Sequence, residues 1–167
     1  MEKLTTSPLI AGTMKWGTWG AKMTQVDMSR YIEHCLSLGI HTFDCAAIYG
    51  GYTTESEFGS AMSDLRLDRN DFQVISKCGI EYPSAENPVE LKHYDYTLDA
   101  ILASVERSLE RLKVDTLDLL LLHRPSPLMD PEVVAAAAGA LKKNGKIRAF
   151  GVSNFSTSTL ALLGEQV

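Results

Sequence analysis

Cysteine is scarce in this chain, with only Cys35, Cys45 and Cys78 among 167 residues. An odd number with no C-x-x-C spacing argues against a disulfide framework and a zinc ribbon, so reduced thiols are the expected state. Long apolar runs are missing too. Stretches such as Leu117 to Leu122 fall far short of the roughly 20 residues a membrane-spanning helix needs. The N-terminus lacks the basic-then-apolar pattern of a signal peptide, so a cytoplasmic protein without a membrane partner is expected. Positive charge is also in short supply: 16 Lys and Arg stand against 21 Asp and Glu, a formal charge of -5. With no basic excess to neutralise phosphates, nucleic acid is not an expected partner.

What remains is ordinary globular material. Hydrophobic residues make up 45% and charged residues 22%, which places residues 1–167 in one domain with one core. Short β-rich runs begin near Leu9, His41, Phe72, Leu117 and Ile147. Most of these starts are spaced by about 30 residues, the length of a βαβ unit.

Helical periodicity fills the intervals. Met28, Tyr31, Ile32, Cys35 and Leu36 line one face, with Thr24 and Asp27 in capping-box spacing and Gly39 as the stop. Thr54 and Glu57 form a second capping-box pair before Phe58, Ala61, Met62 and Leu65. Thr97 is placed to cap a third helix whose apolar face runs through Leu98, Ile101, Leu102, Val105, Leu109 and Leu112. Asp130 followed by Pro131 starts a fourth, Asn144-Gly145 ends it, and a fifth begins at Ser156. The nearly continuous apolar strands suit a parallel sheet, and five βα units point to either a doubly wound sheet or a (β/α)8 barrel. The one long connection, Gly79 to Tyr96, carries Pro83 and Pro88 and no apolar period. A loop of that length following a strand belongs at the strands' C-terminal edge and is usually functional or mobile.

Polar residues stand where the apolar strands finish. Asp44 follows Thr42-Phe43, Lys77 follows Val74-Ile75-Ser76, His123 follows the leucine run, and Ser153-Asn154 follow Phe150-Gly151-Val152. Tyr49 lies in the loop just past Asp44. Singly, each has a structural explanation: a turn-forming acid, a snorkelling lysine, a satisfied histidine, a loop aromatic. Together, on the face where parallel α/β folds build their sites, they make an acid–base set. A free phenol with a pKa of about 10 is a weak acid catalyst near neutrality. A neighbouring ammonium strengthens it by stabilising the phenolate, and a carboxylate holds that ammonium charged. A metal site from Asp44, Cys45, Cys78 and His123 fails on alternation, since Cys45 and Cys78 face away from the side used by Asp44 and Lys77.

These residues sit in a series of strings that resembles the aldo-keto reductase family across the chain. The strings are Gly12-Thr13-Met14 with Trp16-Gly17, Phe43-Asp44-Cys45-Ala46-Ala47-Ile48-Tyr49-Gly50, and Glu55-Ser56-Glu57-Phe58-Gly59. They continue with Ser76-Lys77-Cys78-Gly79, Asp118 to Pro125, and Gly151-Val152-Ser153-Asn154-Phe155. The Tyr49 to Tyr52 segment, Tyr-Gly-Gly-Tyr, is similar to bacterial oxidoreductases of that family. The resemblance implies a (β/α)8 TIM barrel, NADPH as hydride donor, and a small carbonyl compound as substrate. It places a catalytic tetrad on Asp44, Tyr49, Lys77 and His123. It also implies that Ser153 and Asn154 hold the nicotinamide carboxamide, that Gly12, Thr13 and Met14 lie close to the nicotinamide ribose, and that Asp44 contributes to cofactor binding as well.

Eight strands close such a barrel, and five are readable here, so the expected fold is a barrel truncated to about five βα units. The last three strands of the resemblance, with the glutamine at the carboxamide and the 2'-phosphate loop, have no counterpart in the 167 residues. The first and fifth strands are then open edges that invite self-association. Two other functions stand beside the reductase. One is a Schiff-base lyase using Lys77, which requires that lysine to lack a carboxylate partner. The other is a non-catalytic binding or regulatory module of the same fold, or an inactive fragment; the reductase itself is expected to need the C-terminal part of the barrel for activity. Trp16, Trp19, Tyr52 and Tyr82 are candidates for an aromatic pocket wall or for packing.

Overall fold

Alternating strands and helices organise the computed structural model, which describes residues 4–164. In chain order the elements are β1 (Ile10–Gly12), α1 (Gln25–Ser37), β2 (Thr42–Asp44), α2 (Thr54–Asp64), β3 (Gln73–Cys78), β4 (Ile80–Glu81), β5 (His93–Tyr94), α3 (Leu98–Leu112), β6 (Leu117–Leu122), α4 (Pro131–Lys143), β7 (Ile147–Val152) and α5 (Thr157–Gly164). Short 3-10 turns at Tyr49–Gly51 and Arg69–Asp71 precede α2 and β3.

Five of the strands form one parallel sheet in the order β1-β2-β3-β6-β7. The order follows the chain without a switch point, and α1 packs on α2, α2 on α3 and α3 on α4. A doubly wound sheet would reverse its strand order and cover both faces with helices; helices in one layer over a sequential sheet are a barrel wall. The architecture left open by periodicity is thereby settled as an open, five-stranded portion of a (β/α)8 barrel.

The register assigns the faces. Gly12 pairs with Asp44, Asp44 with Ile75, and Lys77 with Leu121, so these residues share the concave face with Gly151. On the helix side, Phe43, Cys45, Val74, Cys78, Leu120 and Leu122 meet Met28, Ile32, Phe58, Ile101, Val105, Val134 and Ala137 in the main core. Cys45, just past β2, and Cys78, the last residue of β3, are therefore packed between sheet and helices, opposite the polar strand-end residues.

Local signals decide most helix ends. Thr24 and Asp27 form a reciprocal capping box at α1, Thr97 accepts from Ala100 N at α3, and Asp130 accepts from Glu132 N ahead of Pro131. The expected box at α2 does not form. Thr53 occupies the cap, but its hydroxyl donates back to Gly50 O at 3.2 Å and caps no helix N–H, and Thr54 is already helical. The preceding 3-10 turn displaces the start by one residue, so the Thr54 hydroxyl is buried without a partner. The long 79–96 connection also departs from its reading as plain loop. It contains an antiparallel pairing of β4 with β5, two residues each, too short to show any alternation in the sequence.

Two buried carboxylates tie the layers. At the N-terminal ends of the strands, Asp118 is fully buried and binds Arg69 Nη2 at 2.6 Å and Val74 N at 2.8 Å. Arg148 Nη1 lies 3.0 Å from its other oxygen as an ion pair that lacks hydrogen-bond geometry. Between α2, β3 and α3, Glu55 accepts from Ser76 Oγ at 2.6 Å and Ser108 Oγ at 3.1 Å, with Arg111 3.8 Å away. Burial pushes the Glu55 carboxyl up, and the two serines and Arg111 oppose the shift.

Candidate active site

Parallel strands deliver their last residues to one edge of the sheet, and here that edge holds the polar strand-end residues picked out in the sequence. Asp44 is the last residue of β2, Lys77 the penultimate residue of β3, His123 follows β6, and Ser153 and Asn154 follow β7. Gly12 ends β1, with Thr13 and Met14 immediately beyond. Thr13 N and Oγ1 both donate to Asp44 O, at 3.0 and 3.1 Å, which joins the β1 end to the acid. Met14 is exposed, and no Cβ placed on Gly12 would meet anything within 4 Å.

Lys77 is the hub. Its side chain is 6% exposed, and its ammonium donates to Asp44 Oδ1 at 2.6 Å, Cys45 O at 2.8 Å and Tyr49 Oη at 3.2 Å. Those three bonds use all three N–H groups. A buried ammonium needs such pairing to remain charged, and the carboxylate partner removes the condition on which the Schiff-base reading depends. Tyr49 reaches the hub because the 3-10 turn after β2 folds back, with Tyr49 N donating to Ala46 O at 3.1 Å. Among the described residues, Tyr49 Oη takes part in no other hydrogen bond.

His123 stands edge-on to Tyr49, with ring centroids 5.9 Å apart at 77°. Its backbone N donates to Cys78 O at 3.0 Å, and its carbonyl accepts from Asn154 Nδ2 at 3.0 Å. Burial, helped by the charges of Lys77, Arg124 and Lys92, lowers its pKa to about 4, so the imidazole is neutral at pH 7. Nδ1 is buried without a partner. The tautomer that places the proton on Nε2 avoids an unpaired buried N–H at Nδ1, and it presents a donor from the other nitrogen.

Asn154 adopts the left-handed region at φ 64°, which asparagine tolerates better than most residues. From there its amide also donates to Ser153 Oγ at 2.9 Å. A second apolar cluster, Ala46, Ala47, Ile48, Tyr49, Tyr52 and Ile80, flanks the site, with Trp19 and Tyr82 packed on it. Trp19 lies 6.4 Å from the Tyr49 ring and 5.7 Å from Tyr82. Trp16 does not join this wall. It is buried against Phe43, Phe58 and Tyr31 in the main core.

Two contributors escaped the sequence reading. The Cys45 carbonyl, a third acceptor for Lys77, carries no side-chain signal. Tyr96 is the other: buried, it bonds the backbone of Arg124, next to His123. Its only trace in the sequence is a tyrosine at the end of the long connection.

Comparison with known proteins places this geometry in context. The chain is 45% identical over 163 residues to the uncharacterized oxidoreductase YcsN of Bacillus subtilis, covering 97% of this chain and 54% of that protein. It is 40% identical to a 6-dehydroglucose reductase of Agrobacterium fabrum, covering 97% of this chain and 54% of the relative. Its structure superposes on the holo form of aldo-keto reductase AKR11C1 from Bacillus halodurans with a TM-score of 0.83 and 27% identity, covering 98% of this chain and 51% of the other. The chain thus spans about half the length of the curated relatives it matches. The model of the aldo/keto reductase family matches residues 8–166, and the chain belongs to that family.

Proposed function

We propose that the strand-end cluster reduces the carbonyl group of an aldehyde or ketone to an alcohol, with NADPH as the donor. The observation that carries this reading is the direction of the Lys77–Tyr49 hydrogen bond. Tyr49 Oη accepts from Lys77, so its own O–H is available to a group on the open side of the site.

The residues suit the nicotinamide end of the cofactor. Gly12 leaves room at the end of β1, where a side chain would otherwise project onto the concave face. With Asn154 Nδ2 committed to His123 O and Ser153 Oγ, the Asn154 carbonyl and the Ser153 O–H remain for a carboxamide. Thr13 and Met14 border the same edge. When bound, the cofactor supplies hydride to the carbonyl carbon.

The chain's own part is the proton. Tyr49 donates it to the carbonyl oxygen, and the Lys77 ammonium stabilises the phenolate left behind. Asp44 keeps that ammonium charged and aimed. His123 Nε2–H holds the carbonyl oxygen beside Tyr49, and because the imidazole is neutral it orients without competing as an acid at pH 7. NADPH rather than NADH follows the family resemblance.

The test is aldehyde-dependent NADPH oxidation by the wild-type chain and by Tyr49→Phe. Loss of the phenolic acid is expected to lower turnover by roughly 10²- to 10⁴-fold, with circular dichroism unchanged. Equal NADPH oxidation by both proteins would remove Tyr49 from the chemistry and favour a binding module of the same fold.

A further inference from the structure

The loop that carries His123 is held by a residue from another part of the chain. Tyr96 is 6% exposed, and its hydroxyl donates to Arg124 O while accepting from Arg124 N at 3.3 Å. Arg124 directly follows His123 and precedes Pro125, which has no N–H and restricts its predecessor to extended geometry. The segment therefore lacks one of the donors with which a turn would fix itself. Tyr96 supplies both a donor and an acceptor in its place.

The same side chain also touches the strand end bearing Lys77. Its ring packs against Gly79, at φ 94°, where a Cβ would come within 1.9 Å of Tyr96 Cε1. Gly79 O accepts from Asp95 N at 3.1 Å, which draws the far end of the 79–96 connection back onto β3. Burial raises the Tyr96 phenol well above its ordinary range, so it remains a donor at any working pH. One tyrosine thus bridges the residues just beyond Lys77 and His123.

We propose that Tyr96 is a positioning residue that sets the imidazole of His123 against Tyr49, and that Gly79 is required to admit its ring. The inference rests on the reading of His123 as the group that orients the carbonyl. His123 is pinned at its N–H by Cys78 O and at its carbonyl by Asn154. Tyr96 fixes the next peptide, and without it the segment can pivot about those two bonds.

Tyr96→Phe in the full chain keeps the ring against Gly79 and removes both hydrogen bonds. Its His123 ring ¹⁵N resonances are expected to move from the wild-type positions, with a weaker Tyr49–His123 nuclear Overhauser effect and unchanged circular dichroism. Under turnover kcat is expected to fall by about 10- to 100-fold through misplacement of the imidazole, with NADPH affinity unchanged. A variant that lowers only the denaturation midpoint, with the His123 resonances and the Overhauser effect intact, would reduce Tyr96 to a packing residue and overturn the proposal. The magnetic resonance readout requires no turnover, so an inactive wild-type chain would count against the reductase reading and leave this test standing. The wild-type chain alone gives a second check. The Arg124 amide, whose acceptor is Tyr96 Oη, is expected to be protected from hydrogen exchange, and rapid exchange there would equally overturn the proposal.

Discussion

Lys77 has no unused N–H group, and this is why its neighbours are expected to be so sensitive to substitution. Lys77→Met removes the charge next to Tyr49 and leaves Asp44 without its ion-pair partner. Carbonyl reduction is expected to fall by at least about 10²-fold, measured as kcat on any aldehyde the wild type accepts. Lys77→Arg should not restore it, because the larger, planar guanidinium fork does not fit the buried site where a compact ammonium meets Asp44, Cys45 O and Tyr49 Oη. At His123 the sign of the pH effect is fixed. The folded pKa, about 4, lies below the ordinary 6.5, so the unfolded chain binds the proton first. The stability this residue contributes is present above about pH 6.5 and is lost as pH falls towards 4. Urea midpoints between pH 7 and 4 should fall more steeply for the wild type than for His123→Asn. Asp44, Lys77, His123, Ser153 and Asn154 were legible because an apolar strand that ends in a polar residue is a local pattern. Tyr96 was not, because its partner is 28 residues away and belongs to the backbone.

At the scale of elements, caps separate what a short spacing can and cannot establish. Thr24→Ala breaks a formed capping box and is expected to cost about 1 kcal/mol in chemical denaturation. Thr54 and Glu57 have the same spacing, yet the 3-10 turn at Tyr49–Gly51 shifts the start of α2 and leaves the Thr54 hydroxyl buried and unpaired. Thr54→Val is therefore expected to be neutral or stabilising; a loss as large as that for Thr24→Ala would mean that the box forms after all. The strand positions were readable because apolar runs and helical periods alternated cleanly. The β4–β5 hairpin was not, since two residues per strand carry no period. Asp118 gives the element scale its strongest test. It serves β3, β6 and β7 together, and Asp118→Ala is expected to destabilise the chain by about 3 kcal/mol, read from the urea midpoint.

Among the described residues the chain repeats one unit, strand then helix, interrupted by the β4–β5 pairing, and lays α1 to α4 in one layer on the sheet. Periodicity identified the units but not the winding, because a doubly wound sheet uses the same strands and helices. Only the sequential strand order and the single helix layer decide for the barrel. Among the described residues β1 and β7 are the sheet's edges. Unpaired edges template strand addition, so the sedimentation coefficient is expected to rise with protein concentration; a concentration-independent monomer would speak against edge pairing. No helix among the described residues is long and apolar enough to cross a membrane. The central claim is that the strand-end cluster is a nicotinamide site for carbonyl reduction. Its most direct test is a titration of the chain with NADPH, followed by Trp19 fluorescence with Trp16 replaced by Phe and the association state fixed. A saturable change is expected, reversed by NADP⁺ and weakened by Asn154→Ala. A folded chain whose Trp19 signal does not respond to NADPH would contradict the claim.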